Sequence, residues 1–216
     1  MLVNLMKHPA LMKSIAPPSS MTGFTLLEVL ISLLVTTLGL LGLAGLQIRM
    51  QQAEFESYQR SQAVVLLYDM VDRIRASKST ASCFAITTNM TSGTPYLGTD
   101  VTAGTGCAAS TSAYNTMADA GLAEWDALLD GASEKSGTSS VGAMIGARGC
   151  VSYGGTSTEI VSGGVSLAGT GIYTVSISWQ GSGDSAVPSA NCANGLYGSE
   201  SMRRTISTTF RIASLN

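Results

Sequence analysis

The sequence predicts an α+β molecule: a long N-terminal α-helix, membrane-spanning in its first half, packed on a C-terminal antiparallel β-sheet. Three observations carry this. An apolar run fills residues 24–46, an apolar stripe at helical spacing follows it, and alternating apolar segments appear only in the C-terminal half.

The apolar run comes first. Fourteen of its 23 positions are Leu, Ile, Val or Phe, and Glu28 is its only charge. As a helix it is about 34 Å long, enough to cross a hydrocarbon core of about 30 Å. A charge at the bilayer centre costs about 3 kcal/mol and each Leu or Ile returns about 0.5 kcal/mol, so the segment inserts in spite of Glu28. Lys7, His8 and Lys13 precede the run, which keeps that end cytoplasmic and sends the C-terminus outward. A secretory signal peptide is the rival reading. The run is too long for one, and no small-x-small site followed by polar sequence ends it. Gly39, Gly42 and Gly45 serve close helix packing, local softening, or nothing beyond tolerance of glycine in lipid.

Beyond Leu46 the helix continues. Val64, Leu67, Val71 and Ile74 step by 3, 4 and 3, with Asp69, Asp72, Arg73, Arg75 and Lys78 off the stripe. One helix over residues 24–77 is expected, with Phe55, Tyr58 and Tyr68 as packing residues. From Ser79 the composition turns to Gly, Ser, Thr and Ala. Residues 87–112 read as an irregular loop, in which Asn89-Met90-Thr91 is a weak match to a glycosylation acceptor. Residues 122–129 read as a short helix stopped by Gly131. Strands are expected at 147–153, 171–179 and 204–212, with a short extra one near 158–161. In the second, Tyr173, Val175, Ile177 and Trp179 alternate with polar residues and give one buried face.

The four cysteines, Cys83, Cys107, Cys150 and Cys192, all lie on the exported side, and no CxxC is present. An even count in an oxidising compartment points to disulfides. Three pairings are open. The pairing favoured is Cys83–Cys107 with Cys150–Cys192, because each closes one local loop, stabilising by about 3.5 to 4 kcal/mol in the chain-entropy model.

Chemistry is nearly absent from the chain. Its one histidine is His8, which excludes Ser-His-Asp and Cys-His arrangements and histidine metal sites downstream. Asp126 and Asp130 read as a solvated helix face. The Gly154-Gly155, Gly163-Gly164 and Gly169-Thr170-Gly171 clusters read as hairpin turns, not as a phosphate loop. Arg203-Arg204 reads as a sheet edge or lateral contact. No catalytic residue, metal site or cofactor is expected. Charged residues make up only 12% and the net charge is −2, which argues against nucleic-acid binding through a basic surface.

Gly23-Phe24-Thr25-Leu26-Leu27-Glu28 ahead of a long apolar helix resembles the class III signal of the type IV pilin superfamily. The resemblance implies cleavage between Gly23 and Phe24 by a prepilin peptidase and N-methylation of Phe24. Glu28 then pairs with the Phe24 amine of a neighbouring subunit, since a carboxylate in lipid needs a cationic partner. Residues 1–23 become a leader, 24–46 the membrane and assembly half of the helix, 47–78 its exported half, and 79–216 a disulfide-stapled, β-rich domain. Loss of the leader leaves ten basic against fourteen acidic residues. The leader departs from the family in its length and in Met21-Thr22 before the glycine; Met6 or Met12 are alternative starts.

Within the superfamily, GFTLLEVLISLLV, Leu43-Ala44-Gly45-Leu46-Gln47, Glu124-Trp125-Asp126, Gly149-Cys150-Val151, residues 177–181, Cys192, Tyr197-Gly198 and Arg203-Arg204 resemble PilV-type minor pilins. That implies a low-abundance subunit that primes fibre assembly. Its partners would be the peptidase, other major and minor pilins, the inner-membrane assembly platform and membrane lipid. The implied location is the bacterial inner membrane, single-pass with a periplasmic C-terminus, and then a surface fibre. A minor pseudopilin of type II secretion, and a tip adhesin or DNA-binding pilin acting through residues 87–112, are the rival readings.

Overall fold

A computed structural model of the chain describes residues 23–101, 103–104, 106–133, 135–140, 144–155 and 171–212. The expected leader up to residue 22, the strand expected near 158–161, and the turns expected at Gly163-Gly164 and Gly169-Thr170 lie outside the described residues. The chain divides into two compact units, residues 1–48 and 49–216.

Helix α1 runs over Leu26–Ala76, close to the expected limits. The Thr25 hydroxyl accepts the Glu28 N–H at 3.2 Å at its start, and no proline interrupts it. Within the first unit every described residue is exposed. Within the second unit α1 buries Gln59, Ala63, Leu66, Leu67, Met70, Val71 and Ile74. Leu67, Val71 and Ile74 are buried as expected, whereas Val64 lies outside the stripe, 39% exposed, and Ala63 takes its place. Phe55, Tyr58 and Tyr68 stay about half exposed and do not enter the core.

A 3₁₀ helix, Lys78–Phe84, and the two-residue strand β1, Leu97–Gly98, follow. Helix α2 spans Ser112–Leu129, ten residues longer at its start than the sequence suggested. Its first half is polar and small, which hides the helical period. Tertiary bonds hold it: Asp119 accepts the N–H groups of Gly106 and Cys107, and Asn115 bonds Ser110 in both directions. Gly131, at φ +86°, ends α2. Its N–H donates to Leu128 O and that of Ala132 to Ala127 O, the two bonds of a left-handed C-terminal cap.

After the small hairpin β2 (Lys135–Ser136) and β3 (Ser139–Ser140) come β4 (Arg148–Tyr153), β5 (Gly171–Gln180) and β6 (Arg203–Ile212). They form an antiparallel sheet of order β1-β4-β5-β6. As the alternation predicts, Tyr173, Val175, Ile177 and Trp179 face inward, 0 to 4% exposed. They share one core with Ala63, Met70, Ile74, Phe84, Trp125, Val151 and Phe210. Trp125 joins α2 to α1 by donating its indole N–H to Leu66 O at 2.9 Å. Gly149 is required beneath that ring, because a Cβ there would lie 2.1 Å from the Trp125 ring edge. The architecture is the pilin-like α+β arrangement the sequence predicts.

The disulfides are Cys83–Cys107, joining the 3₁₀ helix to the loop before α2, and Cys150–Cys192, joining β4 to the loop before β6. The second lies in a separate small cluster with Ala193 and Tyr197, on which Tyr96 packs.

Candidate functional site

Gly23, Phe24 and Glu28 fall at the start of the described part of the first unit. Gly23 has open space around it, and Phe24 is 86% exposed. Glu28 is exposed on the first turn of α1 and makes no ion pair among the described residues. Leu27, Leu30, Leu34, Leu38 and Leu41 are each more than half exposed around it. A helix with this length and composition is suited to cross a membrane. Exposure all round leaves the carboxylate of Glu28 to be compensated by something other than this chain's own described residues. The glycines at 39, 42 and 45 have nothing within 4 Å and are open to close approach by another helix.

In the second unit the structure brings together polar residues that sequence reasoning placed differently. Asp126 is not solvated. It is 7% exposed and accepts the backbone N–H groups of Gly98 at 2.6 Å and Ala103 at 2.9 Å. The signal was available, because Asp126 follows Leu122 by four residues and so shares its buried face. Asp130 is exposed, as read, and its carboxyl is pushed up by burial, with the charges of Asp126 and Asp100 adding.

Arg203 opens the edge strand β6, in line with the sheet-edge reading, but its side chain is buried and not free for a lateral contact. It is 1% exposed, paired with Glu200 at 2.5 Å, and donates to Ala190 O and Cys192 O. Arg204 reaches Glu56 of α1 at 3.1 Å and Gly183 O at 2.7 Å. Glu56 also accepts the Ser182 hydroxyl and N–H, at 2.9 and 3.1 Å. These bonds, the Ser182 hydroxyl foremost, outweigh partial burial and hold the Glu56 carboxyl below its ordinary value, with Arg204 adding.

A third cluster lies over β4. The Arg148 guanidinium sits between the rings of Tyr96 and Tyr197, 5.4 and 5.1 Å from their centres, and meets Asp100 at 3.1 Å. Burial pushes the Tyr197 hydroxyl up to about 12, and it donates to Gly146 O at 2.9 Å. These residues fasten loops onto the sheet. None is arranged as a nucleophile with a base. Among the described residues no group of three or more His, Cys, Asp or Glu side chains could hold a metal ion.

Within the loop expected over 87–112, residues 89–93 form a bonded turn. Asn89 Oδ1 accepts the N–H groups of Thr91 and Ser92, and Gly93 turns at φ +64° against Asn191, where a Cβ would collide with backbone.

One family model, described as type IV pilin Tt1218, matches residues 45–128. The matched stretch carries the second part of α1, the 3₁₀ helix, β1 and α2. No curated protein and no solved structure matches the chain.

Proposed function

Taking as premise the type IV pilin superfamily, which the match over residues 45–128 supports, we propose that this chain is a minor pilin of a type IV pilus. Pilins associate with other pilins, and an apolar N-terminal helix fits membrane anchoring before fibre assembly. In this reading a prepilin peptidase cuts between Gly23 and Phe24, and the Phe24 amine is methylated. Residues 24–46 then hold the subunit in lipid and later in the fibre, residues 47–78 continue the helix outside the membrane, and residues 79–216 form the exported domain.

The observation that carries the proposal is Glu28: the one charged residue over 24–46, in a helix whose apolar residues there are all exposed among the described residues. Pairing with a neighbouring subunit's Phe24 amine removes the cost of a lone charge in a low-dielectric bundle and sets axial register between subunits. The role is structural, with no reacting group assigned.

The test is Glu28→Val expressed in place of the native chain, with membrane insertion and surface fibres counted together. The expected result is normal insertion with impaired fibre assembly, and normal piliation would sink the pairing argument. Secretion of enzymes by the same cells separates this role from that of a pseudopilin, since a pseudopilin variant would lose secretion and keep its fibres.

A further inference from the structure

Strand β6 closes one side of the sheet, and no described strand covers its outer edge. On β5, the Gln180 N–H donates to Ile145 O, and Ile172 O accepts from Gly154, so the even-numbered residues turn their backbone groups toward β4. The Gly181 N–H points the other way, to Met202 O. Backbone groups alternate along an antiparallel strand, so Tyr173, Val175, Ile177 and Trp179 bond to Phe210, Thr208, Ile206 and Arg204 of β6. The N–H and C=O groups of Thr205, Ser207, Thr209 and Arg211 therefore point away from the sheet. No described strand pairs with them.

Sheet edges are normally defended by brevity, bulges, proline or lysine. The opposite edge is short, since β1 has two residues. By contrast, β6 has ten residues paired with β5 without a break, so it has no bulge, and it contains neither proline nor lysine. The ground beside it is basic and partly apolar. Arg60, Val64, Tyr68 and Arg75 step by 4, 4 and 7 along one flank of α1, and Arg75 lies over the Phe210 ring at 5.3 Å. Tyr68 is 56% exposed, and Arg211 makes no ion pair among the described residues.

We propose that the β6 edge is a docking site for an extended, acidic segment of another exported protein, which adds a strand along Thr205–Arg211. Backbone bonds supply the affinity, and Arg211 selects for acid, since Arg75 already meets Asp72 at 3.8 Å. A second β6 is a poor occupant, because the strand carries no acid to meet Arg211. The proposal stands on the sheet alone and does not depend on the role in a fibre.

The test follows amide exchange in the full chain in detergent, titrated with a capped peptide as long as β6 that alternates valine with glutamate and threonine. Slowing of about tenfold or more, confined to the amides of Thr205, Ser207, Thr209 and Arg211, is expected. Ser207→Pro with Thr209→Pro should abolish it, since both remove outward N–H groups and leave the β5 ladder intact. Arg211→Glu keeps every backbone donor and should transfer preference to the same peptide with lysine for glutamate. No protection at about 1 mM peptide, or equal protection by the lysine peptide on the native chain, would overturn the proposal. So would protection that appears on concentrating the protein alone, which would assign the edge to a second copy.

Discussion

The two units of this chain treat leucine in opposite ways. In residues 26–48 every leucine is exposed, and none is packed by the chain that carries it. In residues 49–216, Leu67, Leu97, Leu122 and Leu129 are at most 5% exposed, within one core shared by α1, α2 and the sheet. The contrast locates the partner in each case. The second unit closes its core with its own strands and helices. The described residues of the first unit find no such cover among themselves, and exposed apolar surface of this extent is unfavourable in water, as a helix long and apolar enough to cross a membrane would show.

The sharpest way to break the comparison is to truncate one large apolar side chain in each unit. Trp125→Ala should cost the second unit about 4 kcal/mol, whereas Leu38→Ala should leave that unit's denaturation midpoint unchanged. Urea unfolding of the full chain in detergent measures both, and a matching loss at Leu38 would mean that the units are not independent. Next in size, Cys83→Ala with Cys107→Ala should cost about 3.5 kcal/mol and the Cys150–Cys192 equivalent about 4 kcal/mol in the chain-entropy model. Either pair exchanged without loss would count against that model here.

Asp126→Ala removes the acceptor for the Gly98 and Ala103 amides, and a cost of about 2 kcal/mol is expected, with faster exchange at both. The smallest effect is electrostatic. Because the Glu56 carboxyl is held below its ordinary 4.5, its contribution is fully present above that pH and is lost as pH falls through the folded-state value. Denaturation midpoints between about pH 5 and pH 3 should fall less in Glu56→Gln than in the native chain, and parallel curves would remove Glu56 from the acid response.

Where one physical signal dominated, the fold was legible. The apolar run and the absence of proline set α1, and the alternation through Tyr173 and Trp179 set β5 and its inner face. Where tertiary bonds decide, it was not. The first half of α2 is held by Asp119 and Asn115 bonds to the loop that precedes it, which leave no periodic trace. The buried stripe of α1 runs through small Ala63 and polar Gln59, so apolar spacing alone drew it toward Val64. Arg203 reads as a surface charge until Glu200 and the carbonyls of Ala190 and Cys192 surround it. For the candidate site, the motif at Gly23, Phe24 and Glu28 is local and visible in sequence. The open β6 edge is a property of strand order, which no single stretch encodes.

Gln59 marks a further asymmetry, because both atoms of its amide are buried with no bonding partner among the described residues. Replacement of that amide by Leu should raise the midpoint by relieving the unsatisfied group, and a fall would mean that ordered water completes it.

The central claim is that the first unit is made for partners after processing at Gly23. Mass spectrometry of the N-terminal peptide from sheared surface fibres and from the membranes of the same cells tests it most directly. The account predicts a methylated peptide that begins at Phe24 in the fibres. A chain that still carries residues 1–23 in both fractions would contradict it.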